Sequence, residues 1–352
     1  IAEWEEEKKE LEKQGLRKAD FEVTDPYAAD VSEGKNNPIY TGHTYHTKVP
    51  HPAIMRYILH YTQPGDTVFD GFAGTGMTGV ATQMLKKPPS DLKVKIESEN
   101  LGLFGETPKW GKRNVIVSDL SPAASTIASN YIKPFNPEKF NADYNKLLNI
   151  ILNDVHNYET EHLSGKKGII DFVLWSDVFL CPDCTSEIIF WESAVDHSTG
   201  KMKKEIKCSS CGALNEKGKL KKNLITVYDE LLDKSILQQK SIPVIINYTY
   251  NKKRFEKKPD QKDINCLNKK LIDLQIPLDE LPKGYNTVQP KNSHGYSHVH
   301  HFYTKRNLYY LSKLVEQTDW TSPMSFIITS MMMRSTQLNR LVVNYYFNGG
   351  GG

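Results

Sequence analysis

The sequence predicts a mixed α/β protein with a parallel-sheet domain first, a metal-binding insertion after it and a helical tail at the end. One observation is a strand, tight turn and helix pattern over residues 64–79, where glycines follow a short β-rich run. Another is an apolar run at 115–117, which an acidic residue and a helix-prone segment follow. The last is two Cys-x-x-Cys pairs, at 181–184 and 208–211.

The turn after the first strand suits the close approach of a ligand. Thr67–Phe69 predict the strand, Asp70 ends it, and a helix is expected from about Thr75 to Leu85. Three turn residues lack a β-carbon and so leave the backbone open: Gly71, Gly74 and Gly76. Gly74-x-Gly76-x-x-Gly79 also matches the dinucleotide fingerprint, so the glycines alone leave a nicotinamide cofactor open.

That fingerprint requires an acidic residue about 20 residues later, which holds ribose hydroxyls. Glu97 ends the alternating run 92–96, and Asp119 follows the apolar run 115–117. We predict Asp119, because a strand inside a parallel sheet is continuously apolar and Ser121-Pro122 then begins a helix. Residues 86–113 contain several prolines and glycines and predict an insertion between the helix and the second strand, with a loop after Glu97.

Three segments, in order, resemble S-adenosylmethionine-dependent amino-methyltransferases that act on DNA. Asp70-Gly-Phe-Ala-Gly-Thr-Gly76 is similar to their cofactor loop, Asp-Pro-Phe-x-Gly-Ser/Thr-Gly. The upstream segment 45–52 contains their Lys-x-Pro, and Asp119-Leu120 resembles the end of their second strand. The resemblance covers about residues 43–133 and departs from the family at Gly71, where proline is usual.

The resemblance implies a Rossmann-like domain that binds S-adenosylmethionine. Gly74 and Gly76 would cradle the methionine part, Asp119 would bind the ribose, and Phe72 would pack against the cofactor. The full expected cofactor set is Tyr45, His46, Thr47, Asp70, Gly71, Phe72, Gly74, Gly76, Asp119 and Leu120. The implied substrate is an exocyclic amine of adenine or cytosine, on a base flipped out of double-stranded DNA. The implied setting is restriction-modification or phage defence, with a restriction or defence partner, in a prokaryotic cytoplasm.

The cysteines predict a structural zinc ribbon over about residues 175–226. Cys181, Cys184, Cys208 and Cys211 form two pairs with 23 residues between them, which suits tetrahedral four-sulfur coordination. With four protein ligands, no position stays open for a substrate, so a catalytic role for the zinc is not expected. The segments 186–191 and 203–207 between the pairs are expected to form a β-hairpin.

Charge and histidine patterns favour contact with nucleic acid in the second half. The net charge is only +3, but eight lysines lie between Lys201 and Lys222, and another basic run covers 252–258. A solvated lysine-rich hairpin explains the first run equally well. The segment 294–303 contains four histidines and several aromatic residues; packing or nucleic-acid contact is favoured over a metal, because no Cys or carboxylate lies at ligand spacing.

The motif that should carry catalysis in this family, Asp/Asn/Ser-Pro-Pro-aromatic after a strand, is absent from its expected place. Asp25-Pro-Tyr27 and Asn37-Pro-Ile39 are partial matches, and neither follows an apolar strand. The catalytic residues are therefore left unknown and are expected beyond Gly352, so that this chain alone could be inactive.

The expected organisation has four parts: a charged N-terminal arm at 1–44, a cofactor domain at 45–150, an inserted region for DNA recognition at 151–292 and a helical segment at 293–352. A helix is expected from Pro323 to about Val343. No apolar run approaches the ~20 residues of a membrane span, so no membrane partner is expected. Two alternatives stay open: an RNA or protein methyltransferase, and a zinc-ribbon module that binds nucleic acid without catalysis.

Overall fold

The computed structural model describes residues 2–30, 32–46, 48–271 and 274–347. The chain divides into two compact units, one of residues 1–140 and 320–330 and the other of residues 141–319 and 331–352. Within the described ranges, no helix has the length and apolar character needed to cross a bilayer.

The part of the chain up to residue 154 is mainly helical, with two short strands. Its elements are α1 (Ala2–Lys13), α2 (Pro38–Thr41), α3 (His51–Tyr61), β1 (Thr67–Asp70), α4 (Met77–Met84), α5 (Ser90–Phe104), β2 (Asn114–Val117), α6 (Pro122–Ile132) and α7 (Pro137–Asp154). The predicted strand, turn and helix at 67–85 is confirmed, as are the strand at 115–117 and the helix that Ser121 begins. Ser121 caps α6 by accepting a hydrogen bond from the Ala124 amide, as its position before a proline predicts.

The strands β1 and β2 pair in parallel, with Thr67 opposite Asn114 and Asp70 opposite Val117. Their carboxyl ends therefore lie at one edge, which is where α/β proteins bind cofactors. The main apolar cluster beside them is formed by α3, α4 and α5 and contains Met55, Ile58, Leu59, Ala81, Leu85 and Ile96. Two strands are fewer than a doubly wound sheet has, so the Rossmann-like class remains a prediction, while the mixed α/β class is what the structure describes.

The loop expected after Glu97, over about 100–105, is wrong, because Ser90–Phe104 within the insertion form the helix α5. Ile96 and Asn100 are buried on it, and their spacing of four residues is that of a helix face. The alternation at 92–96 suggested a strand, and Gly102 suggested a break. Helix formation overrides both, and it ends only at Gly105, whose φ of 72° is left-handed.

The rest of the chain contains most of the strands. Its elements are β3 (Glu159–Glu161), β4 (Lys167–Leu180), β5 (Glu187–Ile189), α8 (Phe190–Ala194), β6 (Val195–Asp196), β7 (Lys201–Met202), β8 (Ile206–Lys207), β9 (Leu214–Asn215), β10 (Lys221–Lys222), β11 (Leu224–Asp229), β12 (Lys234–Gln239), β13 (Ser241–Tyr250), β14 (Lys253–Lys257), α9 (Gln261–Leu267), α10 (Tyr285–His294), α11 (Lys305–Gln317), α12 (Met324–Arg334) and α13 (Val343–Phe347).

An antiparallel sheet organises this second unit around the long strand β4. The strand order is β10-β4-β13-β14, and β3 and β5 also pair with β4. Ile170 and Ile246, which face one core cluster, are at most 2% exposed. The strands β11 and β12 form a separate hairpin.

Three further expectations, all on segments after residue 154, need correction. The segments 186–191 and 203–207 do not pair with each other: β5 pairs with β4, and β8 pairs with β9. The polar stretch 259–292, with several proline and asparagine residues, predicts loops around one short helix, whereas the structure has both α9 and most of α10 there. The final long helix ends at Arg334 rather than near Val343, because an irregular stretch separates α12 from α13.

Candidate functional site at the carboxyl edge of the parallel strands

Asp70 ends β1 and closes the turn that follows it. Its Oδ1 accepts a hydrogen bond from the Phe72 amide at 3.1 Å, and its Oδ2 accepts one from the Thr78 hydroxyl at 2.6 Å. Sequence reasoning missed Thr78. The signal was available, because a residue in the first turn of a helix that follows a glycine turn points back toward the strand end.

Asp119 lies two residues beyond β2 and reaches the same turn. Its Oδ2 accepts a hydrogen bond from the Gly74 amide at 2.8 Å, and its Oδ1 accepts one from the Ser121 amide at 2.9 Å. These two amides, that of Ser121 first, hold the pKa of the Asp119 carboxyl below its usual range. Each oxygen keeps a further lone pair, so the ionised side chain can still accept hydrogen bonds from hydroxyl groups.

The glycines of the turn differ in what the backbone requires of them. Gly74 has a φ of +52°, and a β-carbon built on it would lie 3.5 Å from Cε1 of Tyr45. Gly76 has a φ of +74°, and its β-carbon would lie 2.7 Å from that of Ala128 on α6. Gly76 is therefore required by the packing of α4 against α6. Gly74 adjoins two groups that could face a ligand: its amide donates to Asp119, and a β-carbon on it would meet the Tyr45 ring.

Two apolar side chains at this edge point into solvent. Phe72 is 84% exposed and lies two residues beyond β1, and Leu120 is 92% exposed and lies three residues beyond β2. Large apolar side chains with this exposure, one after each strand end, favour a ligand with a flat or apolar surface.

The structure thus brings together most of the expected cofactor residues. Tyr45, Asp70, Phe72, Gly74 and Asp119 surround one turn, and Gly71 and Leu120 adjoin them. His46 is exposed, with its ring centroid 6.5 Å from that of Tyr45. Thr47 lies outside the described residues. Glu97, the rejected alternative, is on α5 and pairs with Lys93 there, so it does not end a strand.

The four cysteines of the two pairs converge on one centre. Each pair lies in a six-residue loop between two strands, 181–186 between β4 and β5 and 208–213 between β8 and β9. In both loops the amide of the first cysteine donates to the carbonyl of the sixth residue, and the amide of the fifth residue donates back. The fifth residues, Thr185 and Gly212, have left-handed φ angles of 59° and 77°. The two loops therefore have the same local fold.

The sulfur positions fit a metal better than a disulfide. The distance from Cys181 Sγ to Cys211 Sγ is 3.8 Å, that from Cys184 Sγ to Cys208 Sγ is 3.7 Å, and all four atoms lie within 4.8 Å of one another. Tetrahedral Zn–S bonds of about 2.3 Å place neighbouring sulfurs about 3.8 Å apart, whereas a disulfide needs about 2.05 Å.

A second convergent cluster contains Asp229, His300 and His301, all at most 9% exposed. The Nε2 atoms of both histidines lie 2.8 Å from Asp229 Oδ2. Asp229 Oδ1 accepts hydrogen bonds from the Leu231 and Leu232 amides. The sequence could not show this cluster, because 71 residues separate Asp229 from His300.

The hydrogen bonds of this cluster argue against a metal. Nδ1 of His301 accepts hydrogen bonds from the Ser297 and His298 amides, at 3.1 and 3.4 Å. A neutral His301 therefore carries its proton on Nε2 and donates it to Asp229. Metal-binding histidines show the opposite arrangement, in which the outer ring nitrogen donates. Packing or nucleic-acid contact was favoured for these histidines because no carboxylate lies at ligand spacing in the sequence; that ground is wrong, since Asp229 lies within ligand distance of two of them.

The lysines near the cysteine loops are solvent-exposed, and few of them form ion pairs. All eight between Lys201 and Lys222 are exposed, and of these Lys219 pairs with Glu216 at 3.5 Å. Lys217 lies over the ring of Phe190, with 4.7 Å between its Nζ and the ring centroid. The structure therefore leaves most of this charge facing solvent.

The two partial matches to the missing motif do not form a site. Asn37 caps the short helix α2 by accepting a hydrogen bond from the Ile39 amide. Asp25 lies in an irregular segment, and no strand precedes either residue in the described part of the chain. The structure thus assigns no catalytic residue.

Comparison with known proteins gives one match. A family model described as DNA methylase, for N6/N4 methyltransferases, matches residues 2–99. The match includes β1, the glycine turn and α4, and it ends within α5, before Asp119. It supports a DNA methylase for this part of the chain. No match was found among curated proteins or among solved structures.

Proposed function

We propose that the chain is an S-adenosylmethionine-dependent DNA methyltransferase that modifies an exocyclic amine of adenine or cytosine. The observation that carries the proposal is the hydrogen bond between the Gly74 amide and Asp119, which unites the glycine turn and the second-strand acid at one edge. The DNA methylase match over the first of these segments supports the same class independently of Asp119.

The cofactor site that we propose has one role for each side of the turn. Asp119 would accept hydrogen bonds from the ribose hydroxyls, since its ionised oxygens have free lone pairs. Gly74 would allow the methionine part to approach the backbone, beside Tyr45. Phe72 and Leu120 would cover the cofactor with apolar surface, of which they expose 84% and 92%. Bound S-adenosylmethionine would supply the methyl group.

We further propose that the cysteine loops hold a structural zinc ion and that the exposed lysines around them contact DNA phosphates. Four sulfur ligands leave no coordination position for a substrate, so the zinc would stabilise the two loops. The lysines would supply affinity that does not depend on the base sequence. A target base in duplex DNA would have to be flipped out, and catalysis would rest on positioning its amine.

The biological setting stays at the level of the resemblance: restriction-modification or phage defence in a prokaryotic cytoplasm, with a restriction or defence partner. The catalytic residues are not assigned, since the partial motifs form no site.

A label-transfer assay tests the proposed reaction. The chain is incubated with methyl-tritiated S-adenosylmethionine and with equal masses of duplex DNA, transfer RNA and unrelated protein. The expected result is label in DNA, lost in Asp119→Asn and kept in Glu97→Gln, which changes an acid on α5. Label in RNA or protein would select the alternative methyltransferase. Label in none of the three would contradict methyl transfer by this chain, and the cofactor site is then tested by S-adenosylmethionine binding alone.

A second candidate is a zinc-dependent nucleic-acid-binding module without catalysis. The geometry of the paired cysteine loops and the exposed lysines favours it, because both belong to the second unit and neither requires a cofactor. DNA binding that is unaffected by S-adenosylmethionine, together with no label transfer, is the result that this candidate predicts.

A further inference from the structure

The segment that places Tyr45 beside the glycine turn has little regular structure of its own. It contains the four-residue helix α2 and then an irregular stretch up to α3. Helices this short are not stable without tertiary contacts. Contacts outside the segment must therefore hold the Tyr45 ring in its place beside the turn, where a β-carbon added to Gly74 would lie 3.5 Å from Tyr45 Cε1.

Lys48 makes the contacts that fasten this segment. Its Nζ donates hydrogen bonds to the carbonyl of Tyr40 at 2.5 Å, to the carbonyl of His43 at 3.1 Å and to the Tyr131 hydroxyl at 3.2 Å. An ammonium group has three donors, and these acceptors use all of them. Its Nζ also lies 5.1 Å from the ring centroids of Tyr40 and Tyr131.

Tyr131 links the hydrogen bonds of Lys48 to the glycine turn, because it lies on α6, which also packs against that turn. Its hydroxyl donates to the carbonyl of Ile39 at 2.8 Å, so it binds the segment directly and through Lys48. Ala128, three residues earlier on the same helix, packs against Gly76. Residues three apart lie on one helix face. One face of α6 therefore holds both the glycine turn and the segment that carries Tyr45.

We propose that Lys48 is a positioning residue for the cofactor, which acts by holding the 38–46 segment on α6 so that Tyr45 stays against Gly74. The proposal rests on the proposed function, since it assigns S-adenosylmethionine to this turn. Lys48 is not placed in contact with the cofactor. Its effect passes through two backbone carbonyls and one phenol.

The titration of Lys48 predicts a pH dependence of cofactor affinity that tests the proposal. Burial lowers the pKa of the Lys48 ammonium to about 8. Above that pH the amine is neutral and has two donors for three acceptors, so one hydrogen bond of the segment is lost. The titratable groups near Lys48 keep their charge states from pH 7 to 9.5, because burial lowers the pKa of His43 and of His51 and raises that of Tyr131 to about 12. Cofactor affinity should then weaken as the pH rises from 7 to 9.5.

The test compares Lys48→Met, which keeps the length of the side chain but has no donor, with Lys48→Arg and with Lys86→Met at an exposed lysine after α4. Titration calorimetry with S-adenosylmethionine at pH 7 should show Kd raised about tenfold in Lys48→Met, from loss of hydrogen bonds made by a charged group. Lys48→Arg should recover part of the loss, and Lys86→Met should match the wild type.

The pH dependence separates positioning from a general structural role. The α-amino group of the cofactor also titrates near pH 8, so the readout is the ratio of the two Kd values. The ratio between Lys48→Met and wild type should shrink at least twofold between pH 7 and 9.5. An unchanged Kd in Lys48→Met, or a ratio that does not depend on pH, would overturn the proposal.

A ligand-free measurement distinguishes failure of this proposal from failure of the proposed function. Hydrogen exchange of residues 38–46 should be faster in Lys48→Met than in wild type, with residues 137–154 unchanged. If exchange is faster but the wild type binds no S-adenosylmethionine, Lys48 does hold the 38–46 segment on α6 and the cofactor assignment is wrong. If exchange is unchanged, Lys48 does not hold the segment and the proposal fails. Should Lys48→Met not fold, Tyr131→Phe, which removes one acceptor of Lys48, should show the same changes at smaller size.

Discussion

Gly71 and Gly76 lie five residues apart in one turn, yet the structure constrains them differently. Gly76 combines a left-handed φ with a neighbour 2.7 Å from where a β-carbon would be. At Gly71, an added β-carbon would meet only the ring of Phe69, at 3.4 Å. The sequence pattern treats the two alike, and only the packing against α6 separates them.

This difference predicts unequal costs for the same substitution. Gly76→Ala should lower the free energy of unfolding by about 1–3 kcal/mol, because it adds backbone strain and a clash with Ala128. Gly71→Ala should change it by less than about 0.5 kcal/mol. Urea unfolding of the two variants, followed by circular dichroism, measures both. Equal losses in the two variants would contradict the described turn.

For single residues, the sequence predicted the roles that rest on a local pattern or on the resemblance to a known family. Asp119 was preferred over Glu97 from the apolar run before it, and Glu97 does lie on a helix. Its hydrogen bond to Gly74 follows from two parallel strands ending together. The contact of Asp229 with His300 could not be predicted, because no local pattern records a pair 71 residues apart.

Among the elements, the two cysteine loops have the most completely defined geometry. They share one pattern of hydrogen bonds and one left-handed position, and their sulfurs are separated as tetrahedral zinc requires. The sequence predicted the ligands from their spacing but paired the wrong strands. Each loop closes its own hairpin, so pairing within a loop takes precedence over the pairing of segments between the loops.

The zinc prediction concerns stoichiometry. The purified chain should contain one equivalent of zinc by mass spectrometry of the metal, lost in Cys184→Ser and retained in Cys266→Ser, a cysteine outside the loops. Asp229→Asn should also retain it, because the hydrogen bonds of His301 oppose a second site. Two equivalents, one of which depends on Asp229, would contradict that assignment.

The elements that the sequence predicted best are those with strong local signals. β1, β2, α4 and α6 follow from apolar runs, glycines and a capping serine. α5 was missed, since Gly102 and the alternation at 92–96 imitate a loop and a strand, and its burial against α3 and α4 is a tertiary effect. α10 was missed for a related reason, because Pro290 lies inside it.

For the whole molecule, the charge distribution matters more than the net charge of +3. The eight exposed lysines between Lys201 and Lys222 lie in the second unit, near the proposed zinc loops. The glycine turn that we propose binds the cofactor lies in the first unit. DNA affinity and cofactor affinity should therefore respond to different substitutions.

Salt dependence tests the lysine cluster. Replacing Lys201, Lys204, Lys207 and Lys221 by glutamine should reduce the slope of log K against log salt by up to about 0.9 for each lysine that contacts a phosphate. The matched control replaces Lys9, Lys13, Lys86 and Lys87, which changes the net charge equally in the first unit. Fluorescence anisotropy with a duplex oligonucleotide gives both slopes. A slope lowered as much by the control would show that the cluster has no special role.

The central claim is that S-adenosylmethionine binds at the carboxyl edge of β1 and β2, and calorimetric titration tests it most directly. The account predicts saturable binding that NAD does not displace, that Asp119→Asn weakens about tenfold or more through loss of hydrogen bonds to a charged acceptor, and that Glu97→Gln leaves unchanged. Displacement by NAD would make the glycine turn a dinucleotide site. Binding that is equally strong in Asp119→Asn, or no binding at millimolar cofactor, would contradict the account.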